Sequence, residues 1–153
     1  MKFITKNPKE TRDLAKKLIH DFLEAEKNRK QALIISLEGD LGAGKTTFTQ
    51  GLAKELGVHD WIKSPTFIIM REHKLSSKFK VQSSNLESFY HIDCYRLQEP
   101  EHMLEMGFKD IISDPENIVL IEWGEKLTKL LPRNIIRIKF KHLKEEKREI
   151  TVC

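Results

Sequence analysis

The nine residues GDLGAGKTT, at positions 39–47, constrain this chain more than any other stretch. Gly39, four further residues and then Gly44-Lys45-Thr46 satisfy the pattern G-x4-G-K-[ST] without exception. The apolar run LIISL at 33–37 leads into the loop, as a strand buried on both faces would. Phe48, Leu52 and Leu56 then recur at helical spacing, with Gly57 as a stop. Strand, glycine loop and helix in this order make a cradle for phosphate. Glycines take backbone conformations closed to other residues and let N–H groups approach an anion closely. Those groups converge as a nest, and the helix N-terminus adds its partial positive charge. On this reading Gly39, Asp40, Gly42, Ala43, Gly44, Lys45, Thr46 and Thr47 surround the phosphates of a nucleotide. Lys45 reaches the β- and γ-phosphates, and Thr46 offers its hydroxyl to Mg²⁺.

A phosphate loop of this kind needs carboxylates, and two stand at strand ends. Glu122 follows the apolar run IVLI, and Asp93 lies in FYHIDCY. Both belong near the carboxyl ends of neighbouring strands, where open α/β sheets bind ligands. Glu122 suits the metal. An acid inside an apolar strand must find a partner, so Asp93 either orients an attacking water or binds the metal through water. Thr66, in SPTF, is placed to sense a γ-phosphate as a switch threonine does. His91 reads as a hydrogen-bonded strand histidine, Cys94 and Trp61 as core, and Trp123 as core or contact surface. Arg96 suits a carboxylate or a phosphate equally.

The rest of the chain reads as alternating strands and helices in one domain over 1–153. Residues 2–5 suit an edge strand. Asn7, Pro8 and Glu10 open a helix, with Pro at its first position and Glu10 reaching back to the Asn7 cap. Leu14, Leu18 and Phe22 give that helix an apolar face, and it fades near Asn28. Residues 66–70 and 89–95 read as strands, 74–85 as an exposed hairpin tip or loop, 100–106 as a short helix closed by Gly107, and 118–121 as another buried strand. A brief helix fits 124–131. Ile136, Ile138 and Phe140 alternate with Arg137, Lys139 and Lys141, then residues 142–147 turn and 149–153 return, making a terminal β-hairpin. The fold class is therefore α/β, a P-loop NTPase-like sheet flanked by helices with a C-terminal β-hairpin.

Composition narrows the setting. Hydrophobic residues make up 39% and charged residues 33%, which excludes low-complexity and collagen-like chains. No apolar stretch approaches the roughly 18 residues that span a bilayer, and the N-terminus turns polar after four residues. Two cysteines, with no C-x-x-C, suit a reduced, cytoplasmic protein with no membrane partner. The net charge is +4 but unevenly spread. Residues 137–148 hold six basic and two acidic side chains, whereas 97–125 hold eight acidic and one basic. These are either solvated faces or one pole that meets a charged partner.

Taken in order, these motifs resemble one family across nearly the whole chain. GDLGAGKTTFTQGLAKELG at 39–57, SPTF at 64–67, HIDCYRL at 91–97, LEMGF at 104–108 and IEW at 121–123 are similar to the successive motifs of TsaE, formerly YjeE. That family is the small P-loop ATPase of bacterial tRNA N6-threonylcarbamoyladenosine (t6A) synthesis. The resemblance implies ATP and Mg²⁺ as cofactors, Thr46 and Glu122 as metal ligands, and Asp93 as necessary for hydrolysis. It implies nucleotide contacts from Arg148, in KREITV, and from Thr11 at the opening of the first helix. It also implies action with the TsaD and TsaB proteins, with tRNA met through that complex and the ATPase resetting it between turnovers. The loop at 74–86 is longer and more basic than the family pattern, and no contact is carried over to it.

Two other readings compete. In a small P-loop kinase, DCYR at 93–96 would hold an acceptor hydroxyl, but no arginine-rich lid is present to exclude water. In an RNA-binding module the basic hairpin would bind without nucleotide, but apart from Phe140 it lacks interleaved aromatics for base stacking. A GTPase would need an N/T-K-x-D guanine motif, and TKLL at 128–131 has Leu131 where Asp belongs.

Overall fold

Two strands whose residues are almost all buried, β2 (Leu33–Glu38) and β5 (Asn117–Glu122), pair in parallel at the middle of one seven-stranded sheet. This is a computed structural model, and it describes residues 1–59, 69–75 and 85–153. β4 (Ser88–Asp93) runs parallel to β5, and β6 (Ile136–His142) runs parallel to β2. Four parallel strands thus bring their carboxyl ends to one edge of the sheet. Antiparallel strands close both sides. β3 (Met70–Lys74) pairs with β4; β7 (Arg148–Val152) pairs with β6, and β1 (Lys2–Thr5) with β7. The order is β1-β7-β6-β2-β5-β4-β3.

Two helices cover one face, α1 (Pro8–Ala25) and α2 (Lys45–Glu55). Leu18, Phe22, Phe48 and Leu52 pack there on Ile35, Leu37, Leu120 and Ile138. Residues one step along the same strands, Ile34, Val119 and Ile121, face the other layer. That layer is built by α3 (His102–Glu105), α4 (Phe108–Ser113) and a 3₁₀ turn (Gly124–Leu127), through Met103, Phe108 and Leu127. Strands buried on both sides explain the unbroken apolar runs.

Several expectations are corrected at element ends. Asn7 caps α1 as expected, its side chain accepting from Glu10 N at 2.9 Å. The Glu10 carboxylate, however, accepts from Lys6 N at 2.7 Å, one residue before the cap. The helix expected over 100–106 contracts to α3, and an unforeseen α4 follows. Gly107, at φ 79°, re-aims the chain so that Phe108, Ile111 and Ile112 start a new apolar stripe. The helix expected over 124–131 is only a 3₁₀ turn. The strand expected over 89–95 is β4, because the chain leaves the sheet after Asp93. Of the residues expected to form a strand over 66–70, Met70 opens β3, and 66–68 lie outside the described residues, as do Trp61 and residues 76–84 of the expected loop.

Gly51 fastens α2 to α1. A Cβ there would overlap the backbone of Arg12, namely its carbonyl oxygen, Cα and carbonyl carbon. Alanine in mid-helix gains about 1 kcal/mol over glycine in propensity. Overpacking against a backbone that cannot rotate aside costs about 1–3 kcal/mol or more. Gly51→Ala is therefore expected to lower the midpoint of urea unfolding despite its better helix propensity. A midpoint equal to or above that of the wild type would show that the two helices part easily.

Candidate functional site

The loop after β2 is shaped by three glycines in the left-handed half of backbone space, Gly39 at φ 145°, Gly42 at 77° and Gly44 at 104°. Gly39 also has no room for a side chain, since a Cβ would lie 2.5 Å from the Phe140 carbonyl oxygen. Gly44 caps α2, so the helix N-terminus opens directly from the loop. A Cβ on Gly44 would stand 3.6 Å from Arg148 Cγ and Nε, which places Arg148 of β7 against the loop. Its Nη1 donates to the carbonyls of Lys147 at 3.1 Å and Glu145 at 3.2 Å, so the hairpin turn steadies it. Ala43 is buried, its N–H donating to Asp40 O at 3.1 Å, while Asp40 is exposed and Thr47 half-buried in the first turn of α2.

Lys45 folds back on its own loop. Its Nζ donates to the carbonyls of Gly39 at 2.5 Å and Asp40 at 2.8 Å, and sits 4.1 Å from the centre of the Trp123 ring. Burial pushes its pKa below the ordinary lysine value, while Glu122, Glu125, Asp93 and Asp40 pull the other way. The ammonium is thus partly desolvated and surrounded by acceptors. An anion can replace those acceptors without a large new desolvation cost.

The acids lie where the strands end. Asp93 and Glu122 are register partners across β4 and β5, so two carboxylates stand side by side at the carboxyl edge. Thr46 Oγ1 donates to Glu122 Oε1 at 2.8 Å, joining the first turn of α2 to the end of β5. Asp93 Oδ1 accepts from Tyr95 N at 2.9 Å, fixing the chain as it leaves the sheet.

His91 was missed as part of this group by the sequence reading. Its Nε2 lies 2.5 Å from Glu122 Oε2, and the two side chains are 3% and 2% exposed. The signal was present. Phe89, His91 and Asp93 alternate along β4, and Phe89 faces α1 and α2, so His91 and Asp93 face that layer too. Trp123 is neither plain core nor open surface. It takes φ 62°, its N–H donates to Leu37 O at 3.0 Å, and its ring meets Tyr95 at 5.2 Å between centres. A non-glycine residue held there stores strain and marks a site where the surroundings dictate the backbone. Cys94 is core, and burial pushes its thiol up to about 12, leaving it protonated and unreactive at neutral pH.

The structure thus gathers residues 39–47, Asp93, Glu122 and Arg148 at one edge. It does not bring Thr11 to the loop by any hydrogen bond. Thr11 is buried, its hydroxyl 2.8 Å from that of Thr5 at the junction of β1 and α1. Thr66 lies outside the described residues.

Comparisons with known proteins give the family and the fold. The profile of a family described as "Threonylcarbamoyl adenosine biosynthesis protein TsaE" matches residues 5–150. The tRNA threonylcarbamoyladenosine biosynthesis protein TsaE of Bacillus subtilis is 34% identical over 151 residues, 99% of this chain and 84% of that protein. Its counterpart in Rickettsia felis is 37% identical over 146 residues, 95% of this chain and 75% of that protein. The crystal structure of Bacillus subtilis YdiB superposes with a TM-score of 0.72 at 32% identity, over 99% of this chain and 83% of that one. The chain belongs to the TsaE family of threonylcarbamoyl adenosine biosynthesis proteins.

Proposed function

We propose that this chain binds and hydrolyses ATP with Mg²⁺, and that the reaction serves t6A formation in tRNA by acting on a TsaD–TsaB complex. One observation carries the chemistry. The Thr46 hydroxyl and the Glu122 carboxylate meet at 2.8 Å between a glycine loop and a strand end, with Lys45 in the same loop. Those two oxygen ligands suit a hard cation. They suit Mg²⁺, which commonly takes one or two protein ligands plus substrate phosphates. Bound there by Thr46 and Glu122, it would supply charge neutralisation on the phosphate oxygens.

The chain's own residues do the rest. The loop N–H groups and the start of α2 bind the phosphates. Lys45 exchanges the carbonyls of Gly39 and Asp40 for phosphate oxygens. Asp93, beside Glu122, orients the attacking water or holds the metal through water, and Thr66 senses the γ-phosphate. Arg148, which lies against Gly44, steadies the nucleotide from the hairpin. The working unit is one domain over 1–153, in the cytoplasm, meeting tRNA through its partner proteins. No helix among the described residues is long and apolar enough to cross a membrane.

A P-loop site without a supplied arginine finger is slow, and such a group contributes about 10³–10⁵ in rate. Phosphate release from MgATP is therefore expected to be slow for the chain alone and at least tenfold faster with the TsaD–TsaB pair of its own organism. A rate unchanged by the pair removes the partner-gated part of the proposal. ATP bound but never hydrolysed, alone or with the pair, points instead to a kinase and calls for an acceptor screen.

A further inference from the structure

We infer that His91 is a positioning residue that sets the cation preference of the site, by holding one Glu122 oxygen away from the metal. The inference rests on the proposal that Thr46 and Glu122 hold a divalent cation. A carboxylate that ligates a cation can only accept hydrogen bonds, so in the contact between His91 Nε2 and Glu122 Oε2 the imidazole is the donor. Oε2 of Glu122 is therefore taken up by His91, while Oε1 faces Thr46. Neither side chain is exposed enough to trade its partner for water.

The strand register makes this arrangement stiff. His91 pairs with Leu120 and Asp93 with Glu122, so His91 reaches Glu122 on the diagonal across β4 and β5. β4 lies between β5 and β3, and the backbone carrying His91 is held on both sides. Glu122 can then offer a cation Oε1 alone. Calcium takes six to eight oxygens and readily uses both oxygens of one carboxylate, whereas magnesium takes six in a strict octahedron and keeps several waters. A carboxylate pinned through one oxygen suits the smaller ion. Releasing Oε2 opens the two-oxygen mode that calcium prefers.

The test reads binding rather than turnover. Mn²⁺ bound to the protein with a non-hydrolysable ATP analogue is followed by electron paramagnetic resonance and displaced with Mg²⁺ or Ca²⁺. Wild type is expected to release Mn²⁺ more readily to Mg²⁺ than to Ca²⁺. Loss of an outer hydrogen-bond partner typically costs 10–100-fold in metal affinity. His91→Leu is accordingly expected to weaken Mn²⁺ binding by about that factor and to move the Mg²⁺/Ca²⁺ preference about tenfold toward Ca²⁺. His91→Gln, which restores an N–H donor, is expected to keep the wild-type preference. If His91→Leu does not fold by circular dichroism, His91→Asn, too short to reach Glu122, replaces it. A folded Leu or Asn variant with the wild-type preference overturns the inference, as does an equal shift in the Gln variant. Wild-type protein that binds no Mn²⁺ with the nucleotide overturns both the inference and the metal site beneath it.

Discussion

Lys45→Ala is expected to weaken ATP binding by about 10–100-fold and to lower hydrolysis by about 10²–10³-fold, with little change in thermal stability. The affinity figure follows from a charge-assisted hydrogen bond, worth about 1.5–3 kcal/mol. The rate figure is that of removing one preorganised donor aimed at developing charge. Stability should hold because of what the lysine does without nucleotide. Its ammonium satisfies two loop carbonyls, at Gly39 and Asp40, and is partly desolvated. Asp40 is exposed, so water can reach that part of the loop when the side chain is gone. The favourable contacts and the desolvation cost largely cancel. The Trp123 ring loses its cation at 4.1 Å, a contact worth about 0.5–2 kcal/mol, which sets the upper end of any loss. Equilibrium dialysis with ATP and a melting curve on the same preparation separate the two effects. Affinity equal to that of the wild type would mean that phosphate does not bind at this loop.

How much of this arrangement was legible depended on how local its cause is. The phosphate loop was legible because its glycines act within nine residues and its flanking periodicities are short-ranged. Glu122 and Asp93 were legible as acids terminating apolar runs. Their pairing was not, because it depends on the register of β4 on β5, which no local pattern reveals. The same holds for Arg148. Its side chain reaches Gly44 only because β6 lies beside β2 and folds β7 back along it. His91 was underread for a different reason. A histidine in a strand usually satisfies itself locally, and its spacing from Asp93 acquires meaning only once that face is seen to look toward α2. Helix α4 went unread because Gly107 looked like a terminus, whereas in the fold it is a hinge between two short helices.

Asp93→Asn separates the two roles left open for that carboxylate. Asparagine has the same shape, and its carbonyl oxygen can still accept from Tyr95 N, now at 2.9 Å. The exit from β4 and the pairing with Glu122 should therefore survive, and the melting temperature should move little. What is lost is a negative charge at the carboxyl edge of the sheet, next to the Glu122 carboxylate. If Asp93 orients the attacking water, that loss falls on the transition state alone. Turnover then drops by about 10²–10⁴-fold, the range of general acid–base contributions, while ATP and Mn²⁺ affinities stay near those of the wild type. If Asp93 instead binds the metal through water, Mn²⁺ affinity falls together with turnover, by about 10–100-fold. The first outcome is the expected one, because Glu122 already makes the direct contact with Thr46 that a metal ligand on this edge needs. Single-turnover phosphate release and Mn²⁺ titration on the same variant decide between the two. A variant with wild-type turnover would remove Asp93 from the chemistry altogether.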